Sequence, residues 1–291
     1  WQNINSGGGN NRPSITIPAN QTLAWDSAIS FGAADYDGLS DIKSHNGDTY
    51  VLGYYSQNMS LNSNCYALSN NFALSEKAED DTLPFIAKFD SNGTCIWMSA
   101  VNVTNPTHDV FTNYIAHSKI AIDSFGDVYF STNLIAAGTG NQQINFGNIT
   151  ISSGNTGSLF AKIDANGTWQ WVKQTPGRSG LFSVAVDSSD NVWINSMFYE
   201  STTNNRQILQ KYDSDGNLLI TKNFGSNGQV QIYSAATDSS SNLYFAGHFY
   251  ETFSETINGT SITFTETSGD LLIAKTDSNG NLLWIKTPDV S

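Results

Sequence analysis

The chain has 291 residues, of which 39% are hydrophobic and 13% charged, and its formal net charge is −13. This acidic chain with scattered bases excludes nucleic acid and anionic membranes as partners, because phosphate binding needs clustered Lys and Arg. No apolar run is long enough to span a bilayer, so we expect no membrane insertion. The length predicts one large all-β domain or two smaller ones.

Residues 1–19 are predicted to be a flexible leader that precedes a single domain of residues 20–291. The segment 7–9 is three glycines, which predicts a hinge between two apolar parts. A leader of this composition favours a tether that packs on a partner, and a frayed terminus is the alternative. The candidate anchor residues are Trp1, Ile4, Ile15 and Ile17.

One hairpin motif occurs four times, as KFDSNGTCIW, KIDANGTWQW, KYDSDGNLLI and KTDSNGNLLW. Each copy predicts two strands joined by an Asn-Gly or Asp-Gly turn, because these pairs supply the positive φ angles of a two-residue type I′ loop. The Asp of each copy is expected to accept backbone N–H groups as an Asx turn. The opening lysine of each copy is expected on an exposed strand face, and none of these residues is predicted to be catalytic.

A second hairpin motif alternates with the first, and it carries an aromatic residue in its second strand: Tyr50, Tyr129, Trp193 or Tyr244. Units of four short strands at this spacing favour a β-propeller, since one four-stranded sheet cannot bury both of its faces. We predict about four blades of four antiparallel strands, over residues 37–101, 110–175, 180–225 and 229–287. No segment has convincing helical periodicity.

The segment INFGNITISSGNTGSLFAKIDANGTWQWVKQ, followed by SVAVDSSDNVWINS, resembles the bacterial SBBP-type β-propeller repeat. The resemblance covers about residues 22–287 and departs from the pattern at Lys43, Asp190 and Ile220. It implies secretion or cell-surface display, often within large modular proteins. It implies no catalytic residue, because the family shares no catalytic motif.

The segment NQTLAWDSAISFG at 20–32 matches the last strand of a repeat, with Trp25 at the position of Trp171. The chain thus has five copies of this strand for four units, and the N-terminal copy is surplus. It could belong to a longer propeller, add to an edge within one subunit, or be donated to a neighbouring copy. Donation would link copies head to tail by β-strand addition. The candidate inter-subunit residues are Leu23, Trp25 and Ile29.

Two of the units contain an extra β-excursion, at 144–154 and 257–269, and the first unit has a longer segment at 56–83. These excursions hold the best candidates for glycosylation because their sequons lie in long connections. The candidates are Asn58, Asn148 and Asn258. Two cysteines, Cys65 and Cys95, are a candidate disulfide, with two free thiols as the alternative.

No cofactor, metal or catalytic residue is predicted. A sialidase needs converging arginines, and the chain offers Arg12, Arg178 and Arg206 at unrelated repeat positions. Asp213, Asp215 and Asn217 have the spacing of calcium ligands, but the sequence lacks the later glutamate, so a turn is favoured.

We therefore predict a secreted or cell-surface protein that is not an enzyme and has a structural or adhesive role. We predict the subunit of a fibre that is linked by donated strands, with head-to-tail self-association. The alternative is a carbohydrate- or protein-binding module of a larger surface protein. A glycoside hydrolase is the least favoured alternative, because the acidic residues lie mainly in turns.

Overall fold

The protein is described here by a computed structural model. It describes residues 38–55, 83–104, 118–134, 143–152, 157–174, 179–199, 205–225, 230–250, 252–265 and 269–288. These residues belong to one compact unit, Phe31–Ser291. They form twenty β-strands, and no helix occurs among them. The predicted all-β class is confirmed, and none of the residues described forms a helix that could cross a membrane.

Four antiparallel sheets follow one another along the chain, and each contains four strands in chain order. The first sheet has β1 (Gly38–His45), β2 (Asp48–Tyr55), β3 (Leu83–Phe89) and β4 (Cys95–Thr104). The second has β5 (Lys119–Ile122), β6 (Val128–Leu134), β9 (Gly157–Ile163) and β10 (Trp169–Gln174). The third has β11 (Ser179–Val186), β12 (Val192–Tyr199), β13 (Asn205–Tyr212) and β14 (Leu218–Phe224). The fourth has β15 (Val230–Thr237), β16 (Leu243–Phe249), β19 (Asp270–Thr276) and β20 (Leu282–Lys286).

Two inserted hairpins account for the unequal repeat spacing. Strands β7 (Gln143–Phe146) and β8 (Ile149–Ser152) lie between β6 and β9 in the chain, and β7 pairs with β4 of the first sheet. Strands β17 (Thr252–Ile257) and β18 (Thr260–Thr265) form a separate two-stranded sheet between β16 and β19. The predicted β-excursions are thus confirmed, and the first of them extends a neighbouring sheet to six strands.

Successive sheets pack against each other through their first strands. Strand β1 contacts β5, β5 contacts β11, and β11 contacts β15. Aromatic and branched side chains fill the space between sheets, because each sheet is too thin to bury both of its faces alone. This arrangement is propeller-like. Closure of the sheets into a ring and the number of blades stay predictions.

The outer strand beside β19 is β20 of the same chain, with Ile273 opposite Lys286 and Lys275 opposite Trp284. The C-terminal copy of the Trp strand therefore completes the fourth sheet. The fourth sheet does not need the surplus N-terminal copy at 20–32. The role of that copy stays a prediction.

Several predicted sites lie outside the described residues. They are Trp1, Ile4, Ile15, Ile17, Leu23, Trp25, Ile29, Asn58 and Cys65. Cys95 lies at the start of β4 and is disulfide-bonded. The chain has one other cysteine, Cys65.

The predicted two-residue loops at the four Lys-x-Asp hairpins are wrong. Each is a five-residue loop in which the backbone N–H of the glycine donates to the aspartate carbonyl, as from Gly167 to Asp164 at 2.9 Å. Only the glycine of each Asn-Gly or Asp-Gly pair has positive φ. Two-residue loops with positive φ at both positions occur instead at Asn46-Gly47 and Asn258-Gly259.

Candidate functional site

Seven aspartate turns lie at one end of the sheets, where first strands turn into second strands and third strands turn into fourth strands. In every one, a single carboxylate oxygen accepts the backbone N–H groups two and four residues later. The predicted Asx turns are confirmed. The side chain closes a five-residue loop, which explains why the two-residue prediction failed. The turns open at Asp90, Asp123, Asp164, Asp187, Asp213, Asp238 and Asp277.

In every sheet the repeated lysine contacts an aspartate and an aromatic ring. We call this group of three side chains a corner. Lys162 Nζ lies 2.8 Å from Asp127 Oδ2 and 5.2 Å from the centre of the Tyr129 ring. Lys211 Nζ lies 2.7 Å from Asp187 Oδ2 and 5.4 Å from the Trp193 ring. The first and fourth sheets repeat the arrangement with Lys88, Asp48 and Tyr50, and with Lys275, Asp238 and Tyr244.

The prediction that these lysines lie on an exposed strand face is wrong for the two central sheets. Lys162 and Lys211 are buried, because the next sheet covers the face of the strand that carries them. An ammonium group can be buried there because a carboxylate and an aromatic face replace its water. The corners hold the two hairpins of a sheet together, and their charged groups are already engaged with each other.

The corner of the fourth sheet has a distinctive electrostatic property. Asn242 Nδ2 donates to Asp238 Oδ2 at 2.9 Å, and this bond lowers the pKa of that carboxyl well below its ordinary value of 3.8. Backbone N–H groups of Asn242 and Ser240 and the Lys275 ammonium act in the same direction. A lowered pKa stabilises the folded protein above about pH 4, and the contribution is lost as pH falls through the folded pKa.

Replacing Asn242 by alanine is therefore expected to raise the pKa of Asp238 towards 3.8, since the largest stabilising contact of the carboxylate is removed. A carbon-detected NMR titration of the aspartate carboxyls measures the change. The matched variant Asn281→Ala removes the equivalent bond to Asp277 and should leave Asp238 unchanged. An unaltered Asp238 titration in Asn242→Ala contradicts the assignment.

Each of the first three sheets binds the third-to-fourth-strand turn of the sheet that follows it. Trp97 Nε1 donates to the Ala165 carbonyl at 2.8 Å, and Trp171 Nε1 donates to the Ser214 carbonyl at 3.2 Å. Lys211 Nζ donates to the equivalent carbonyl in the fourth sheet, from Ser278, at 3.1 Å. The same two repeat positions, Trp and Lys, thus recognise the second residue of the next aspartate turn.

The surface through which a sheet contacts the next sheet also includes the positions two and four residues before the lysine. In the first three sheets the closer position is Ile86, Phe160 or Leu209, and each is at most 2% exposed. The farther position, Pro84, Ser158 or Gln207, is buried as well.

The fourth sheet presents the same positions to solvent. Ile273 is 42% exposed and Leu271 is 53% exposed. Among the described residues, no hydrogen bond engages the indole N–H of Trp284. We define the open face as Tyr244, Ala246, Leu271, Ile273, Lys275 and Trp284. The equivalent faces of the first three sheets each pack against the next sheet. The open face therefore has the residues of a face that packs against another sheet.

The glycosylation candidates that can be placed are both exposed. Asn148 and Asn258 occupy the tips of the β7–β8 and β17–β18 hairpins. Asp213 accepts from the backbone N–H of Asp215 and Asn217, and this places the DSDGN segment in an aspartate turn. Within the described ranges, no three His, Cys, Asp or Glu side chains are grouped to hold a metal ion.

The open face was missed by the sequence analysis, although the motif that carries it was found. KTDSNGNLLW contains both Lys275 and Trp284, and LLIAK supplies Leu271 and Ile273. The sequence pattern of the fourth unit is that of the other three. Only the solvent exposure of its side chains distinguishes it.

Comparisons with known proteins give similarities to solved structures. No protein-family model matches the chain, and no curated protein matches it. The chain is similar to a solved structure titled "Streptogramin B lyase structure", with 13% identity and a TM-score of 0.43. The match covers 89% of this chain and 72% of that chain. The SBBP resemblance therefore stays a prediction.

The prediction that the chain is not an enzyme is contradicted by this comparison, because the matching structure is titled as a lyase. We withdraw that prediction. At 13% identity the match concerns the fold, and no reaction or residue role is carried from it to this chain.

Proposed function

We propose that the protein is a structural or adhesive subunit that self-associates head to tail through the open face of its fourth sheet. One observation carries this proposal: Leu271 and Ile273 are exposed at positions that are buried against another sheet in the three preceding repeats. Burying apolar surface of this kind stabilises association by about 25 cal/mol per Å² before the costs of ordering are subtracted. A second copy of the chain is the partner that we propose.

The chain contains a segment that could pack against the open face of a second copy. The segment 20–32 has the pattern of a repeat strand, and the fourth sheet is completed without it. Leu23, Trp25 and Ile29 are the apolar residues that a donated strand would place against the open face of a second copy. A contact between two different surfaces does not close on itself, so repeated association of this kind builds a fibre.

The proposal places the protein outside the cell. Its abundance of Asn, Ser, Thr and Gly, and its exposed sequons at Asn148 and Asn258, support a secreted or cell-surface location.

Light scattering after size-exclusion chromatography tests the proposal. The full chain is expected to gain mass as its concentration rises. The double variant Leu271→Lys/Ile273→Lys is expected to remain monomeric, because two charged side chains replace the apolar part of the open face. The matched control is Leu218→Lys/Leu219→Lys, which changes two equally exposed leucines on β14 and should still associate.

A mixing experiment tests the direction of association. Full-length Leu23→Asp/Trp25→Asp lacks the donor and Leu271→Lys/Ile273→Lys lacks the acceptor, so a mixture of the two should stop at a 1:1 dimer. A wild-type chain that stays monomeric near millimolar concentration overturns self-association. Association that survives Leu23→Asp/Trp25→Asp alone overturns strand donation and leaves the open face as the interface.

A further inference from the structure

A cleft of about 350 Å³ lies between the third and fourth sheets, under the β17–β18 hairpin. Its walls come from β14, from β17 and from the turn that precedes β20. This volume is at the small end of ligand pockets, so it suits a molecule of amino-acid size. The cleft is separate from the open face, and nothing in the self-association proposal depends on it.

Two opposite charges line the cleft without pairing. Lys222 and Glu255 both line it, and among the described residues neither forms a salt bridge within 4.0 Å. Lys222 Nζ donates to Asn281 Oδ1 at 3.0 Å, and Glu255 Oε1 accepts the backbone N–H of Gly225 at 2.6 Å. The Lys222 ammonium also helps to lower the pKa of the nearby Asp277 carboxyl. Neither Lys222 nor Glu255 has all of its bonding capacity used, so each can still bind a ligand group.

The environment of Glu255 favours the binding of a cation. Burial raises the pKa of Glu255, and in the described structure only backbone N–H groups oppose that effect. An ammonium group beside the carboxylate would replace the water that Glu255 has lost. Lys222 would offer the complementary bond to an anionic group.

The rest of the lining separates a polar side from an apolar side. Asn281 lies in the wall, where its Oδ1 accepts from Lys222 Nζ and its Nδ2 donates to Asp277 Oδ2. Leu209, Phe224 and Leu282 supply the apolar part of the same cleft. A ligand that fits has one positive group, one negative group and a short hydrocarbon part.

We infer that this cleft binds a free amino acid, as a zwitterion whose ammonium group contacts Glu255 and whose carboxylate contacts Lys222. The apolar floor favours an aliphatic side chain, as in leucine. A neutral sugar would offer no charged group to Lys222 or Glu255, which is why the zwitterion is the better match.

Isothermal titration calorimetry on the full chain tests this inference with matched probes. L-leucine carries both charges, 3-methylbutylamine lacks the carboxylate, and 4-methylpentanoate lacks the ammonium group. Leucine is expected to bind at least tenfold more tightly than either analogue, because each analogue leaves one charge of the cleft unpaired. Glucose is the probe for the competing class of ligand.

Single substitutions identify the two contacts. Glu255→Gln retains an oxygen that can accept the Gly225 N–H, and Lys222→Met retains the length of the side chain; each is expected to weaken leucine binding at least tenfold. Lys286→Met removes an exposed lysine on β20 and should not change it. The inference is overturned if leucine shows no binding at 20 mM, if both variants bind as the wild type does, or if only glucose binds.

Discussion

Replacing Lys211 by methionine is expected to lower the free energy of unfolding by about 3–5 kcal/mol, because it leaves a buried carboxylate without its partner. Asp187 has no exposed side-chain surface, and its Oδ2 lies 2.7 Å from Lys211 Nζ. The substitution also removes the hydrogen bond from Lys211 to the Ser278 carbonyl of the fourth sheet. Urea denaturation followed by tryptophan fluorescence measures the change.

The repeat supplies a matched control for this prediction. Lys275 occupies the same position in the fourth sheet, where Lys275 and Asp238 are 19% and 30% exposed and their distance is 3.3 Å. Lys275→Met should cost much less than Lys211→Met, since exposed ion pairs contribute little to stability. Asp187→Asn added to Lys211→Met should recover part of the loss. Equal costs for Lys211→Met and Lys275→Met would show that burial does not determine the strength of the corner.

Replacing Phe253 by alanine is expected to cost about 3–5 kcal/mol, the range for truncation of a buried aromatic residue. Phe253 is 1% exposed and fixes the β17–β18 hairpin to the sheets beside it. Its ring centre lies 4.9 Å from that of Phe249 in the fourth sheet and 6.1 Å from that of Phe224 in the third. Within the hairpin it stacks on Phe264 at 4.9 Å.

Hydrogen exchange measured by mass spectrometry shows which residues lose stability in this variant. Residues 252–265 should lose protection first in Phe253→Ala, because their contact with both sheets depends on this ring. The control Ile262→Ala alters a side chain that is 38% exposed in the same hairpin, and it should change stability by about 0.5 kcal/mol or less. Unchanged protection of the hairpin in Phe253→Ala would mean that other contacts hold it.

The strands could be predicted because their turns are marked by residues with special backbone properties. Aspartate and glycine at fixed positions located the hairpins, and the spacing between units located both insertions. The form of the loops was not predictable from the Asn-Gly pair, because the aspartate side chain, two residues earlier, binds the backbone and selects a longer loop.

The environment of the lysines could not be predicted from local pattern. Lys211 follows Gln210 in an alternating strand, where a charged residue ordinarily indicates the solvent side. Its burial depends on Asp187, Trp193 and the Ser278 carbonyl, which are brought together by three different elements. Such partners are separated by tens of residues in the chain, so only the folded structure identifies them.

The same limit applies to the open face. Ile273 and Leu209 occupy equivalent positions before a lysine, and both are apolar residues in similar strands. Leu209 is buried because the fourth sheet follows the third, and Ile273 is exposed because none of the described sheets covers the open face. A repeat pattern specifies how a unit packs, but it does not specify which unit has a neighbour.

The stacking of the sheets has a consequence for how the protein unfolds. Each described sheet is stabilised mainly by the sheets that pack against it, so the stability of the protein depends on interactions between neighbouring sheets. The third sheet packs against the second and the fourth, whereas the fourth has a described sheet on one side only. Local opening should therefore begin at the first or the fourth sheet rather than at the second or third, and a partner bound at the fourth would add the missing nearest-neighbour interaction. Assembly and the cooperativity of unfolding would then be thermodynamically linked.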